Sequence, residues 1–201
     1  DDTGSKWAQW LGYDDPHHTA MSDVGVYEGA YYHKHGAYRP TSNSKMRALN
    51  QPFNAPSREE IILDIYRDVD PLDDFFNPDL TDDPDTPLFA PTLWVDVIDP
   101  AVIAVDWLLD GELLLDDGPV VLDTATLGLA SGDYALTALA YDRVLDLAHT
   151  GLDYDWVRRD FDLLRQSVTW DITLTPEPGS AAPLILALTK RGSHVVLFSD
   201  C

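Results

Sequence analysis

The residues best suited to chemistry in this chain of 201 are its six histidines: His17, His18, His33, His35, His149 and His194. A neutral imidazole is a good zinc ligand, and a catalytic zinc takes about three protein ligands with a fourth position open. Two of the three are most simply supplied by histidines four residues apart on one helix face, with a glutamate base beside the first. No such HExxH spacing occurs in the sequence. The spacing of His33-Lys34-His35 would place two imidazoles on one side of a strand. No carboxylate or third ligand is spaced to complete that pair. His17 and His18 follow Asp14-Asp15-Pro16; adjacent side chains point apart, so a solvated turn is expected there. Neither a catalytic residue nor a metal ligand is assigned. The single cysteine, Cys201, excludes an internal disulfide framework.

Few regular elements are available in the first third to position side chains. Residues 1–50 are rich in Gly, Tyr, His and Trp with little periodicity, and read as ordered loop. The run from Gly25 to Pro40 is dense in glycine, which permits tight turns, and in tyrosine, which offers an apolar face with a hydroxyl. A helix is expected over about 57–68. Ser57 would be its N-cap, with Glu60 completing a capping box. Ile61, Ile62, Ile65 and Tyr66 would form the apolar stripe, and Pro71 lies beyond the end.

Within this third, Lys6-Trp7-Ala8-Gln9-Trp10, Glu28-Gly29-Ala30, Gly36-Ala37-Tyr38-Arg39-Pro40, Ser44-Lys45-Met46-Arg47 and Pro52-Phe53-Asn54-Ala55-Pro56-Ser57-Arg58-Glu59 stand in one order. Together they resemble the end of the catalytic domain of the IgA-peptidase family of zinc metallopeptidases, over about residues 5–67. The family is similar to the metzincins, whose zinc sits on an HExxH helix upstream of such a segment. By this resemblance Met46 forms the turn beneath the metal, and Tyr38 and Arg39 border the substrate cleft; for the Arg39 side chain, a structural hydrogen bond to loop backbone is favoured over a contact with a substrate carboxylate or carbonyl. Because HExxH is missing, the chain is expected to be the carboxy-terminal part of a longer zinc endopeptidase. It would be inactive by itself, and its zinc ligands would lie upstream. The implied partner is a protein or peptide substrate, and the implied location is secreted or cell surface.

Residues 70–91 are dominated by proline and aspartate without a basic residue, which predicts a stiff acidic linker. Aspartate oxygens make calcium a candidate cofactor there, although no EF-hand loop is present. From residue 92 the pattern turns strand-like. Val168, Trp170, Ile172 and Leu174 alternate with polar residues, and Asp110-Gly111 is a strong hairpin signal. Several short strands over 92–176 suggest an antiparallel β-sandwich, with Trp107 and Trp170 supplying core mass. The stretches around Trp107 and Trp170 resemble immunoglobulin-like modules carried behind secreted hydrolases. Trp156, Arg158 and Arg159 are expected in a surface loop. The tail, 177–201, resembles the Pro-Glu-Pro sorting signals of some bacteria, with Leu184–Leu188 and Val195–Phe198 as alternative short strands.

Residues 1–68 hold 10 acids and 7 bases, and residues 69–201 hold 25 acids and 6 bases. Such an excess of negative charge repels phosphates, which argues against a nucleic-acid partner or an anionic membrane. No apolar run reaches the ~18–20 residues of a membrane span. The expected fold class is α+β: a loop-rich remnant of a metzincin-like catalytic domain with one helix over 1–69, then an antiparallel immunoglobulin-like β-sandwich. A rival reading makes the β unit a non-catalytic adhesion or carbohydrate-binding module acting through exposed aromatics.

Overall fold

Trp7, Trp10, Val24 and Ala55 are buried together, with Tyr13 and Tyr38 packed against them. They form the interior of the first of two compact units in the computed structural model. That unit comprises Asp1–Asp68 and Val144–Phe161, and the second comprises Val69–Arg143 and Asp162–Cys201. The structure describes residues 1–16, 22–77, 92–145 and 156–174, and the backbone of 175–176 and 183–191. His17, His18, His149 and His194 lie outside the described residues, as does most of the acidic linker.

In the first unit a 3-10 helix, Ser5–Trp10, carries both core tryptophans. Strands β1 (Tyr27–Glu28) and β2 (Tyr38–Arg39) form a small antiparallel hairpin. The one α-helix among the described residues, α1, spans Ala55–Asp68 and so begins two residues before the expected start. Its cap is Asn54 and not Ser57: Asn54 Oδ1 accepts the Ser57 N–H at 3.0 Å, and the Asn54 carbonyl accepts Arg58 N–H at 2.9 Å. Asn54 is buried and its amide donates to Thr41 Oγ1 at 2.9 Å, so a residue far away in sequence fixes the cap. The Ser57–Glu60 capping box is thereby corrected. The expected stripe is corrected in part: Tyr66 is buried as expected, but Ile61 and Ile65 are exposed, and the buried face is Ala55, Glu59, Leu63 and Tyr66. Those four follow helical spacing, with a glutamate where an apolar residue would be anticipated.

The second unit contains two antiparallel sheets. Strands β3 (Leu72–Phe75), β4 (Thr92–Val97) and β7 (Val121–Asp123) make the smaller, in the order β3-β4-β7. The larger has the order β10-β9-β8-β5-β6, with β5 at Ile103–Leu109, β6 at Glu112–Leu115, β8 at Gly132–Asp142, β9 at Arg165–Pro176 and β10 at Pro183–Arg191. One α-helix and antiparallel sheets make the fold class α+β. Strand β3 falls within the stretch expected to be linker: Leu72 is buried and Asp73 and Asp74 face out, so a half-buried strand was hidden among acids. Strand β10 falls within the expected tail and pairs with β9 along its length.

The Asp110-Gly111 turn forms as expected between β5 and β6. Both residues have positive φ, 52° and 87°, as a type I′ turn requires. The alternation of β9 also holds, with Val168, Trp170, Ile172 and Leu174 buried. Trp107 pairs with Ala138, and Trp170 with Leu136, on one face of the larger sheet. Ala138 is small, and across it the two indoles stack at 5.9 Å between centroids and 20° between planes. Both are fully buried. Each indole N–H is satisfied: Trp107 donates to Pro119 O at 2.8 Å and Trp170 to Phe76 O at 2.9 Å. Phe76 directly follows β3, so Trp170 joins the larger sheet to the end of the smaller one.

Candidate functional site

The hairpin of β1 and β2 presents two of the three residues singled out by resemblance. Tyr38 is half-buried against the tryptophan core, and Arg39 lies beside it. The Arg39 guanidinium is used by backbone. Its Nη1 donates to Glu28 O at 3.0 Å, its Nε to Thr41 O at 3.0 Å, and its Nη2 to Ser42 O at 3.2 Å. Burial, and then the like charge of Arg47, lower the Arg39 pKa from its ordinary value. Gly29, at φ 91°, lets the chain turn over this guanidinium; a Cβ there would come within 3.3 Å of Arg39 Nη1. Arg39 therefore braces the hairpin against the segment that follows it.

That segment leads to Met46. Ser44 is buried, and its carbonyl accepts Arg47 N–H at 2.9 Å and Ala48 N–H at 3.0 Å. Lys45 N–H donates to Pro52 O at 2.7 Å, which closes the loop at its base. Arg47 Nη1 donates to Ser42 O at 2.9 Å, the carbonyl that also serves Arg39. Met46 thus sits on a pinned turn, yet the residue is 76% exposed, and Leu49 on the same loop is 86% exposed.

His33 and His35 do not lie on a strand. They belong to the connection between β1 and β2, and both are exposed. The expected projection of two imidazoles to one side of a strand is therefore corrected: residues 30–36 turn, with His33 N–H bonded to Ala30 O at 2.9 Å. His35 instead meets a carboxylate, with Nδ1 at 3.3 Å from Glu28 Oε2. Glu28 Oε1 also accepts Gly36 N–H at 3.1 Å. The Gly36 hydrogen bond first, and the His35 contact second, hold the Glu28 carboxyl below its ordinary pKa.

A depressed carboxylate pKa means that the contact is complete above the unfolded value and is lost as pH falls through the folded one. The Gly36 amide should therefore shift in an acid titration with a midpoint below the usual glutamate value of about 4.3. Proton–nitrogen NMR reads this directly. A midpoint at or above that value would contradict the contact.

The residue that sequence reasoning missed is Glu59. Its carboxylate is only 1% exposed as a residue and accepts three N–H groups: Gln9 Nε2 at 2.6 Å, Trp10 Nε1 at 2.7 Å and the backbone of Arg158 at 2.6 Å. Arg159 Nε lies 3.6 Å from Glu59 Oε2. Trp156, Arg158 and Arg159 lie in a partly exposed loop, as expected, but the segment is also seated on α1 and the Trp10 ring. The available signal was the spacing of Glu59 with Ala55 and Leu63, which places it on the buried face. A second ion pair, Arg58 with Asp15 at 2.6 Å, is nearly buried on both sides. Among the described residues, no three His, Cys, Asp or Glu side chains come together to hold a metal ion.

Compared with known proteins, residues 5–65 match a family model described as IgA Peptidase M64. No curated protein and no solved structure matches the chain. The matched stretch contains the hairpin, the Met46 turn and most of α1, and by this match it is similar to a segment of that peptidase family.

Proposed function

We propose that the chain is the carboxy-terminal part of a secreted or cell-surface zinc metalloendopeptidase. The family match over residues 5–65 carries this reading. In it, Met46 is the methionine of the turn beneath the metal, and Tyr38 and Arg39 border the cleft that takes a protein or peptide substrate. The residues described here do not converge on a metal. In this reading the zinc ligands and the glutamate base belong to chain preceding Asp1, because residues 1–201 carry no HExxH, and no chemical step is assigned to residues 1–201. Zinc bound there would polarise the scissile carbonyl and activate water. The part left to this chain is positional. Arg39 and Arg47 clamp the Ser42 carbonyl from two directions, which fixes the start of the Met46 turn relative to the hairpin.

The exposed thioether and the exposed Leu49 support the same reading, since a large apolar side chain on a pinned turn is what an absent covering segment leaves behind. For the second unit we read an immunoglobulin-like sandwich, supported by its two antiparallel sheets and the Trp107–Trp170 stack. The adhesion or carbohydrate-binding alternative needs exposed aromatics, whereas Trp107 and Trp170 are fully buried.

Oxidation of Met46 tests its placement. In residues 1–201 dilute peroxide should convert Met46 to sulfoxide at about the rate of free methionine, because thioether oxidation follows exposure. In a chain extended through the preceding coding sequence, the rate should fall by at least about tenfold as the turn is covered. Peptide mass spectrometry reads both. An unchanged rate in a folded extended chain would contradict the Met46 assignment.

A further inference from the structure

We infer that Trp156–Asp160 is a strap that locks the peptidase-like stretch of this chain, and that helix α1 is held in place by the seating of Arg158. The inference rests on contacts within the first unit and is independent of the peptidase reading. The strap lies outside the matched residues 5–65 and reaches them through the long connection between β8 and β9.

Three observations define the lock. The Arg158 guanidinium lies over two rings, 4.4 Å from the Trp10 centroid and 4.6 Å from that of Tyr13. Those rings meet edge to face at 4.9 Å and 68°, so one cation covers both. The same guanidinium donates through Nη1 to Gln9 O at 2.9 Å. Its backbone N–H enters the buried Glu59 carboxylate, which also holds Gln9 and Trp10. The strap therefore binds the 3-10 helix with a side chain and α1 with its backbone, and Glu59 closes the circuit between them. Just before Arg158, Val157 is buried, and Arg58 reaches from α1 to within 5.3 Å of the Trp156 ring.

Arg159 is different. It pairs with Glu60, and the two side chains are 38% and 46% exposed, the setting in which an ion pair contributes little. The strap is thus a lock with one pin, Arg158, and a solvent-screened neighbour.

Native-state hydrogen exchange of the full chain tests this. Arg158→Ala should raise the exchange rate of the buried-face amides of α1, from Glu59 to Tyr66, by about tenfold or more, since a part-buried cation–π seat on two rings and a hydrogen bond are both lost. Amides of β8 and β9 should stay within about twofold of the parent chain, and Arg159→Ala should change α1 by less than about threefold. Exchange in α1 unchanged by Arg158→Ala, or an equal rise in β8 and β9, would overturn the strap. If Arg158→Ala does not give folded protein, Arg158→Lys decides: it keeps the charge and loses the flat face, and should raise α1 exchange several-fold. No rise in that variant overturns the inference equally.

Discussion

Replacing Trp170 with alanine is expected to destabilise the second unit by about 3–5 kcal/mol, the range for removing a fully buried tryptophan from a core. The estimate sits at the upper end for structural reasons. The indole is completely buried, stacks on Trp107 and donates its N–H to Phe76 O. Alanine would leave a cavity beside Ala138, which is too small to fill it, and an acceptor without its donor at the end of β3. Trp170→Phe keeps much of the ring area and should cost less, about 1–3 kcal/mol, chiefly from the lost hydrogen bond and incomplete filling. Urea denaturation followed by the β-sheet circular dichroism signal would measure both. A cost below about 1 kcal/mol for Trp170→Ala would mean that the stacked pair is not the centre of this core.

Glu59→Ala is expected to be the most damaging single change in the first unit, at about 3 kcal/mol or more. The carboxylate satisfies three donors, of which Trp10 Nε1 is fully enclosed, and each buried donor left unpaired costs about 1–3 kcal/mol. Glu59→Gln should be milder but still unfavourable, because its amide N–H₂ would face a donor. The order Ala worse than Gln worse than parent, read by the protection of α1 amides, checks the account. Glu59→Ala within about 0.5 kcal/mol of the parent would contradict it, since that is the spread of neutral surface changes.

What could be read from the sequence divides along a physical line. The alternation of β9, the Asp110-Gly111 turn and the burial of Trp107 and Trp170 were legible because each is set by local spacing or residue type. The period of two reports which face is buried, and an Asp-Gly pair tolerates positive φ. The α1 cap was misplaced because Ser57 and Glu60 satisfy a local rule, while Asn54 is fixed by Thr41 across the fold. Glu59 was hidden for the same reason. Its donors come from Gln9, Trp10 and Arg158, 49 to 99 residues away, and the only local mark that separates it from Glu60 is its spacing with Ala55 and Leu63. Strand β3 was masked by composition: Asp73 and Asp74 point outward, and only Leu72 reports the buried face. Of the residues named by resemblance, the structure places Tyr38 and Arg39 on β2 and Met46 on the pinned turn that follows. Arg39 is engaged by three backbone carbonyls there, the structural hydrogen bonding to loop backbone that was favoured over a substrate contact.

The central claim, that these residues complete an upstream zinc endopeptidase, is tested most directly by comparing residues 1–201 with the same chain extended through its preceding coding sequence. Each is dialysed, analysed for zinc and assayed for casein cleavage. The account predicts about one tightly held zinc per extended chain and peptide-bond hydrolysis abolished by a chelator, with neither in residues 1–201 alone. Stoichiometric zinc retained by residues 1–201 and lost on mutating His33 and His35 would contradict it. So would an extended chain that carries HExxH, folds and binds zinc, yet cleaves nothing.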